Sequence, residues 1–289
     1  MDWRGRRESS NIEDRRGSRM GGMGGMGGRP VRVGGLGLIV VLLLGAFFGV
    51  DLSGVVGPDD GSYQDASTSP SPSDPRSEEY RSFVAVVLGE TEDVWGQLFQ
   101  ASNLRYEDPT LVLFSGVTRS ACGTAQSAMG PFYCPVDHKV YLDTDFFDTM
   151  QRQLGARGEF PRAYVVAHEV GHHVQNLLGV LGQVNQARGR MSEADGNALS
   201  VRVELQADCY AGIWANAARD RLNITDDDIR LALQTAAAIG DDALQKAAQG
   251  YAVPDSFTHG TSEQRQQWFY RGFRSGDPDQ CDTFNATSL

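Results

Sequence analysis

Apolar residues fall along this chain in three patterns, and each predicts a different kind of element. Val33 to Val50 is a near-continuous apolar run containing Leu36, Leu38, Ile39, Val40, Val41, Leu42, Leu43 and Leu44, with no charge inside it. A helix of that length reaches about 27 Å, close to the roughly 30 Å of a hydrocarbon core, so the run predicts one transmembrane helix. Its five glycines make it a modest helix former. Two short clusters, Leu111-Val112-Leu113-Phe114 and Val140-Tyr141-Leu142, predict strands. Elsewhere the spacing is helical. Ser77-Glu78-Glu79 opens a helix through Leu88, Val94, Trp95, Leu98 and Phe99 form a second apolar helical face, and helices dominate from Arg162 onward. Thr225-Asp226-Asp227-Asp228 reads as the cap of a helix reaching Ile239, and Thr261-Ser262-Glu263-Gln264 as a capping box opening a last helix to Phe273. The pattern as a whole predicts an α+β fold, mainly helical with a small β-sheet, preceded by one transmembrane helix.

Composition divides the chain further. Residues 1–32 hold a Met-Gly-Gly repeat and eight arginines against four acids, and read as a disordered basic N-terminus. Residues 33–50 are the predicted span, and 51–77, rich in Ser, Pro and Asp, read as a flexible linker. Residues 78–289 are long enough for one domain with a sizeable core. The formal net charge is −11, of which 1–32 contribute +4, leaving −15 beyond them. By the positive-inside rule the N-terminus is expected in the cytoplasm and the acidic domain outside it, as a single-pass membrane protein. A cleaved signal peptide is the competing reading, but no clear small-x-small site follows the run. Cys122, Cys134, Cys209 and Cys281 all lie in the external part, where disulfides form. Of three connectivities we prefer Cys122 with Cys134 and Cys209 with Cys281.

The chemistry is concentrated in His168-Glu169-Val170-Gly171-His172. Two histidines four apart share one helix face and can grip one Zn²⁺, with the glutamate between them as general base. Tyr164 to Ala167 upstream and Val174, Leu177 and Leu178 downstream supply apolar helical spacing, and Gly179 marks the helix end. The whole chain has only five histidines, which makes a chance match improbable. A catalytic zinc keeps three protein ligands and one open position. Glu204 is assigned as the third ligand, and Asp208, one turn away, as the acceptor of a ligand histidine's free ring N–H; the reverse assignment is the alternative. His173 points about 100° from His172 and reads as a core histidine, and His138 as an exposed turn residue.

These motifs resemble a known group. His168-Glu169-x-x-His172 with Glu204-x-x-Ala207-Asp208 resembles the gluzincin zinc peptidases. Gly130-Pro131-Phe132-Tyr133-Cys134-Pro135, Ala167 to Gln175 and Phe257-Thr258-His259-Gly260 resemble more narrowly the bacterial putative neutral zinc metallopeptidase family, over Glu78 to Phe284. The resemblance implies a zincin-like fold, one catalytic Zn²⁺, a peptide or protein substrate and endopeptidase action. It also implies that His259, with Arg265 near it, stabilises the oxyanion, and that substrate lies along an edge strand, with either predicted strand able to serve.

Two other classes compete with a peptidase. A catalytically silent extracytoplasmic zinc module, acting in interaction or as a chaperone, would usually close its metal with four side chains, whereas this set offers three ligands and a base. Nucleic-acid binding rests only on the N-terminal arginines, which membrane topology or anionic-lipid contact explains better, so no nucleic acid is expected.

Overall fold

The computed structural model describes residues 1–17, 75–126, 130–154 and 156–289. Six strands are described: β1 (Ile12–Asp14), β2 (Thr110–Phe114), β3 (Val117–Ser120), β4 (Gly123–Gln126), β5 (Phe132–Cys134) and β6 (Lys139–Asp143). Four of them form a sheet in the order β1-β2-β6-β5. The first three run parallel and β5 pairs antiparallel to β6, while β3 and β4 make a separate hairpin. The two strands predicted from sequence are therefore the inner pair, β2 and β6, and neither offers an edge to a substrate. Leu111, Val112, Leu113, Val140, Tyr141 and Leu142 are all nearly inaccessible, which is why they read as continuous apolar runs rather than as alternating ones.

Helix α1 (Pro75–Ala101) joins the two helical segments predicted on either side of Gly89. Gly89 does not interrupt it. A Cβ there would lie 3.1 Å from the carbonyl oxygen of Arg7, so the glycine serves close contact with the N-terminal segment. The helix begins inside the predicted linker, because Pro75 has a backbone angle suited to a first helical turn. Helices α2 (Thr144–Leu154), α3 (Phe160–Leu177), α4 (Val180–Arg188), α5 (Glu193–Ala218), α6 (Asp226–Ala238), α7 (Asp241–Gln249) and α8 (Ser262–Ser275) follow. The predicted caps hold: Thr225 and Thr261 each accept from the third backbone N–H of their helix in a capping box. Gly179 stands after α3 at φ 77°, where a side chain would be strained.

Residues 1–17 contradict the reading of a disordered N-terminus. Trp3 is buried edge-on against Phe83, and Ile12, Glu13 and Asp14 pair with Leu111, Val112 and Leu113. The low-complexity repeat that suggested disorder begins only at Met20, beyond these residues. The predicted span, 33–50, and residues 51–74 of the predicted linker lie outside the described residues. Among the described residues no helix is long and apolar enough to cross a membrane.

Both preferred disulfides are present. Cys122–Cys134 ties the β3–β4 hairpin to the edge strand β5, and Cys209–Cys281 ties the C-terminal segment to α5, with Cα separations of 5.8 Å and 5.6 Å.

Candidate metal centre

Helices α3 and α5 cross at two small residues, and this close approach builds the site. A Cβ on Gly171 would lie 3.0 Å from the carbonyl oxygen of Ala207, so the glycine inside the first motif faces the alanine inside the second. One turn on each helix then sets His168 and His172 opposite Glu204 and Asp208. Glu204 Oε2 is 3.2 Å from His168 Nε2, and Glu204 Oε1 is 3.4 Å from His172 Nε2. One donor atom from each of the three residues lies within 4.8 Å of the others, and all three side chains are buried.

The opposite faces of both imidazoles are already used. His168 Nδ1 donates to Asp208 Oδ1 at 2.9 Å. His172 Nδ1 donates to Gln175 Oε1 at 2.8 Å, because the Gln175 amide nitrogen itself donates to Val203 O and Gln206 Oε1, which fixes the amide orientation. Both Nε2 atoms are thereby turned inward, where a metal would take their lone pairs. Two imidazoles and a carboxylate are a donor set that suits zinc, and His168, His172 and Glu204 are the residues that would hold it. The sequence assignment of Glu204 to the metal and Asp208 behind it is the arrangement found, rather than the reverse.

Asp208 is the hub beneath the site and is fully inaccessible. It accepts from Tyr164 Oη at 2.5 Å, from His168, and from Arg265 through both Nε (2.8 Å) and Nη2 (3.0 Å). Burial opposes its ionisation, but the Arg265 and His168 charges outweigh this and hold its carboxyl down to about 2. Arg265, grouped from sequence with an oxyanion role, is instead committed to Asp208. Its buried position on α8 and two-pronged geometry are those of a structural counter-ion.

Burial lowers the basicity of every histidine here, yet the two ligand histidines end far apart. Asp208 and Glu204 overcome burial at His168 and push it up to about 10, whereas at His172 burial prevails and takes it down to about 4. Glu204 stays ionised, well below the ordinary carboxylate range, because nearby histidine charges outweigh its burial. Glu169 behaves oppositely. Burial first, and then the Glu204 charge, push it up to about 7 against the pull of His168, Arg265 and His259. A carboxyl poised near neutrality is suited to taking and returning a proton.

His259 reaches the site from the loop between α7 and α8 and feels the Glu204 charge. Its partner, Asp241, was not singled out from the sequence. Asp241 Oδ2 accepts the backbone N–H groups of Thr258 (2.7 Å), His259 (2.6 Å) and Gly260 (3.0 Å), while its Oδ1 lies 3.3 Å from His259 Nδ1. One carboxylate thus fixes both the loop and the ring. No local signal marks this role, because Asp241 reads simply as an acidic residue in the first turn of a helix. Gln175 and Gln206 carry no local signal either, because their bonds join different helices and the C-terminal segment. They link His172 to the C-terminal segment through Gln206 Nε2 to Cys281 O at 3.1 Å.

His173 is the buried core histidine expected, donating to Glu107 O at 2.6 Å and accepting from Tyr133 Oη at 3.0 Å. His138 lies exposed in the β5–β6 turn at φ 58°.

Comparison with known proteins agrees with this geometry. The family model described as "Putative neutral zinc metallopeptidase" matches residues 1–284. A protein of Escherichia coli K12, named uncharacterized protein YpfJ, is 51% identical over 291 residues, covering 99% of this chain and 100% of the relative. Uncharacterized protein Rv2575 of Mycobacterium tuberculosis H37Rv is 48% identical over 217 residues, 71% of each chain. No solved structure matches.

Proposed function

The chain belongs to the family of putative neutral zinc metallopeptidases, and from that premise we propose that it hydrolyses peptide bonds within peptide or protein substrates, with His168, His172 and Glu204 holding one Zn²⁺. The observation that carries this reading is the asymmetry of the centre. Three donors converge, the two imidazoles have their outer nitrogens occupied, and a buried Glu169 beside them is raised to about 7. A bound zinc ion supplies Lewis-acid polarisation of a carbonyl and acidification of water. Glu169 takes the proton of the attacking water and delivers it to the leaving amine. His259 donates from Nε2 to the oxygen that gains charge as the carbonyl is attacked. Its Nδ1 lies 3.0 Å from Thr258 Oγ1 and 3.3 Å from Asp241 Oδ1, and the Glu204 and Asp241 charges favour the protonated ring, in which Nε2 donates. The antiparallel edge strand β5 packs beside α3 through Tyr133, which supports it as the rail that pairs with a substrate backbone. We also propose that residues 75–289 work outside the cytoplasm, where two disulfides persist.

Glu169→Gln tests the catalytic reading against a silent zinc module. It should retain one zinc and the melting temperature while peptide hydrolysis falls by about 10² to 10⁴, the scale for a lost general base. Equal cleavage by both proteins, or none by either at full zinc loading, would reject the proposal.

A further inference from the structure

Residues 1–17 and 75–289 form one body, although the only long apolar run of the sequence separates them. Leu111 N–H donates to Asn11 O at 2.8 Å and Arg15 N–H to Leu113 O at 2.7 Å, adding β1 to the sheet, while Ser9 N–H donates to Ala85 O on α1 at 2.9 Å. The segment is held equally by charge. Arg7 pairs with Glu92 and Asp93, Arg4 with Glu79 and Glu159, and Lys139 on β6 with Glu13 at 2.7 Å. Arg16, its side chain 1% exposed, meets Glu78 and Ser77. The dependence is mutual. Glu92 is buried, and Ser9, Asn11 and Arg7 all donate to it, so without the segment it would be a buried carboxylate stripped of those donors. Lifting β1 away would also open the β2 edge of the sheet.

We infer that residues 1–17 lie on the same side of any membrane as residues 75–289, so that the chain between them makes no single net crossing. A path that leaves and rejoins one folded body crosses a bilayer an even number of times or not at all. This overturns the single-pass topology drawn from the flanking arginines, and the ion pairs supply the reason. The positive-inside rule counts arginines as cytoplasmic markers, whereas Arg4, Arg7 and Arg16 are paired with Glu79, Glu92 and Glu78 of the domain. The inference stands whether or not the chain is a peptidase.

The test uses the full-length chain expressed in a Gram-negative host. All four native cysteines are in disulfides, so an added cysteine is the sole free thiol. Arg6→Cys in the N-terminal segment and Arg190→Cys in the domain are both exposed positions away from the metal centre. Cells with a permeable outer membrane are treated with a membrane-impermeant maleimide, before and after the inner membrane is opened. Modification of both variants under the same condition is expected. Modification of one in intact cells and of the other only after opening overturns the inference. If Arg6→Cys reacts under neither condition, a water-soluble carbodiimide decides, by condensing the Glu13 carboxylate with the Lys139 amine in membranes of the unmutated protein. A crosslinked Glu13–Lys139 peptide, lost in Lys139→Gln, supports one body, and its absence refutes it.

Discussion

Replacing Gly272 by alanine tests the helix contact on which the metal centre rests. Helices α5 and α8 touch backbone to backbone: a Cβ at Gly272 would lie 1.9 Å from the carbonyl oxygen of Cys209 and 2.8 Å from its carbonyl carbon. Carbon–oxygen contacts are comfortable only from about 3.3 Å, so the helices would have to part by more than about 1 Å. Overpacking of this kind costs about 1–3 kcal/mol, and the upper half applies because the obstacle is backbone on a helix also fastened by Cys209–Cys281. At about 2–4 °C per kcal/mol for a domain of this size, the melting temperature should fall by roughly 4–12 °C. The site should suffer as well. Arg265 lies two turns before Gly272 on the same face of α8, and a parted helix draws its 2.8 Å and 3.0 Å bonds away from Asp208. His168 then loses its support, and zinc affinity should drop about 10- to 100-fold. The assays are thermal melts of metal-free and zinc-loaded protein and a zinc competition titration. Gly96→Ala, whose Cβ meets nothing within 4 Å, is the control and should be neutral or slightly stabilising. If Gly272→Ala melts and binds zinc as the control does, the close crossing and the support it gives His168 are refuted.

Three further outcomes follow from the electrostatics. Arg265→Ala leaves Asp208 buried without its cation and should destabilise the domain by about 3–5 kcal/mol in urea unfolding; Asp208→Asn in the same protein should recover part of that loss. In the metal-free protein His168 keeps a proton to about 10, while His172, at about 4, and the ionised Glu204 have none to lose. Zinc binding near neutrality should therefore expel about one proton from His168 and strengthen as pH rises, which calorimetry in buffers of different ionisation enthalpy measures. The folded pKa of His259 is raised, so the stability from its pairing with Asp241 is present below the ordinary histidine pKa and lost as pH rises through the folded one. Asp241→Asn should move the alkaline limb of the hydrolysis profile to lower pH and reduce kcat more than it changes KM. An unshifted limb would remove Asp241 from its positioning role.

Wherever a role depends on residues within one or two helical turns, the sequence alone determined it. His168 and His172 share a face because they are four apart, Glu204 and Asp208 do likewise, and Thr225 and Thr261 cap helices through hydrogen bonds three residues long. The linear pattern of apolar residues was enough to identify β2, β6 and the helical second half. Tertiary structure decided whatever depends on contact between distant segments. It put Glu204 rather than Asp208 against both Nε2 atoms, because that follows from the rotation of α5 about the Gly171–Ala207 crossing. It took Arg265 from the substrate side to Asp208, and brought Asp241 and Gln175 behind His259 and His172. It also supplied partners for three of the N-terminal arginines, Arg4, Arg7 and Arg16. Read along the chain they are a basic run beside an apolar one, and only the fold reveals the acids of α1 to which they are paired. Local spacing fixes which side chains can point the same way, but which side chains meet is set by how helices and strands pack.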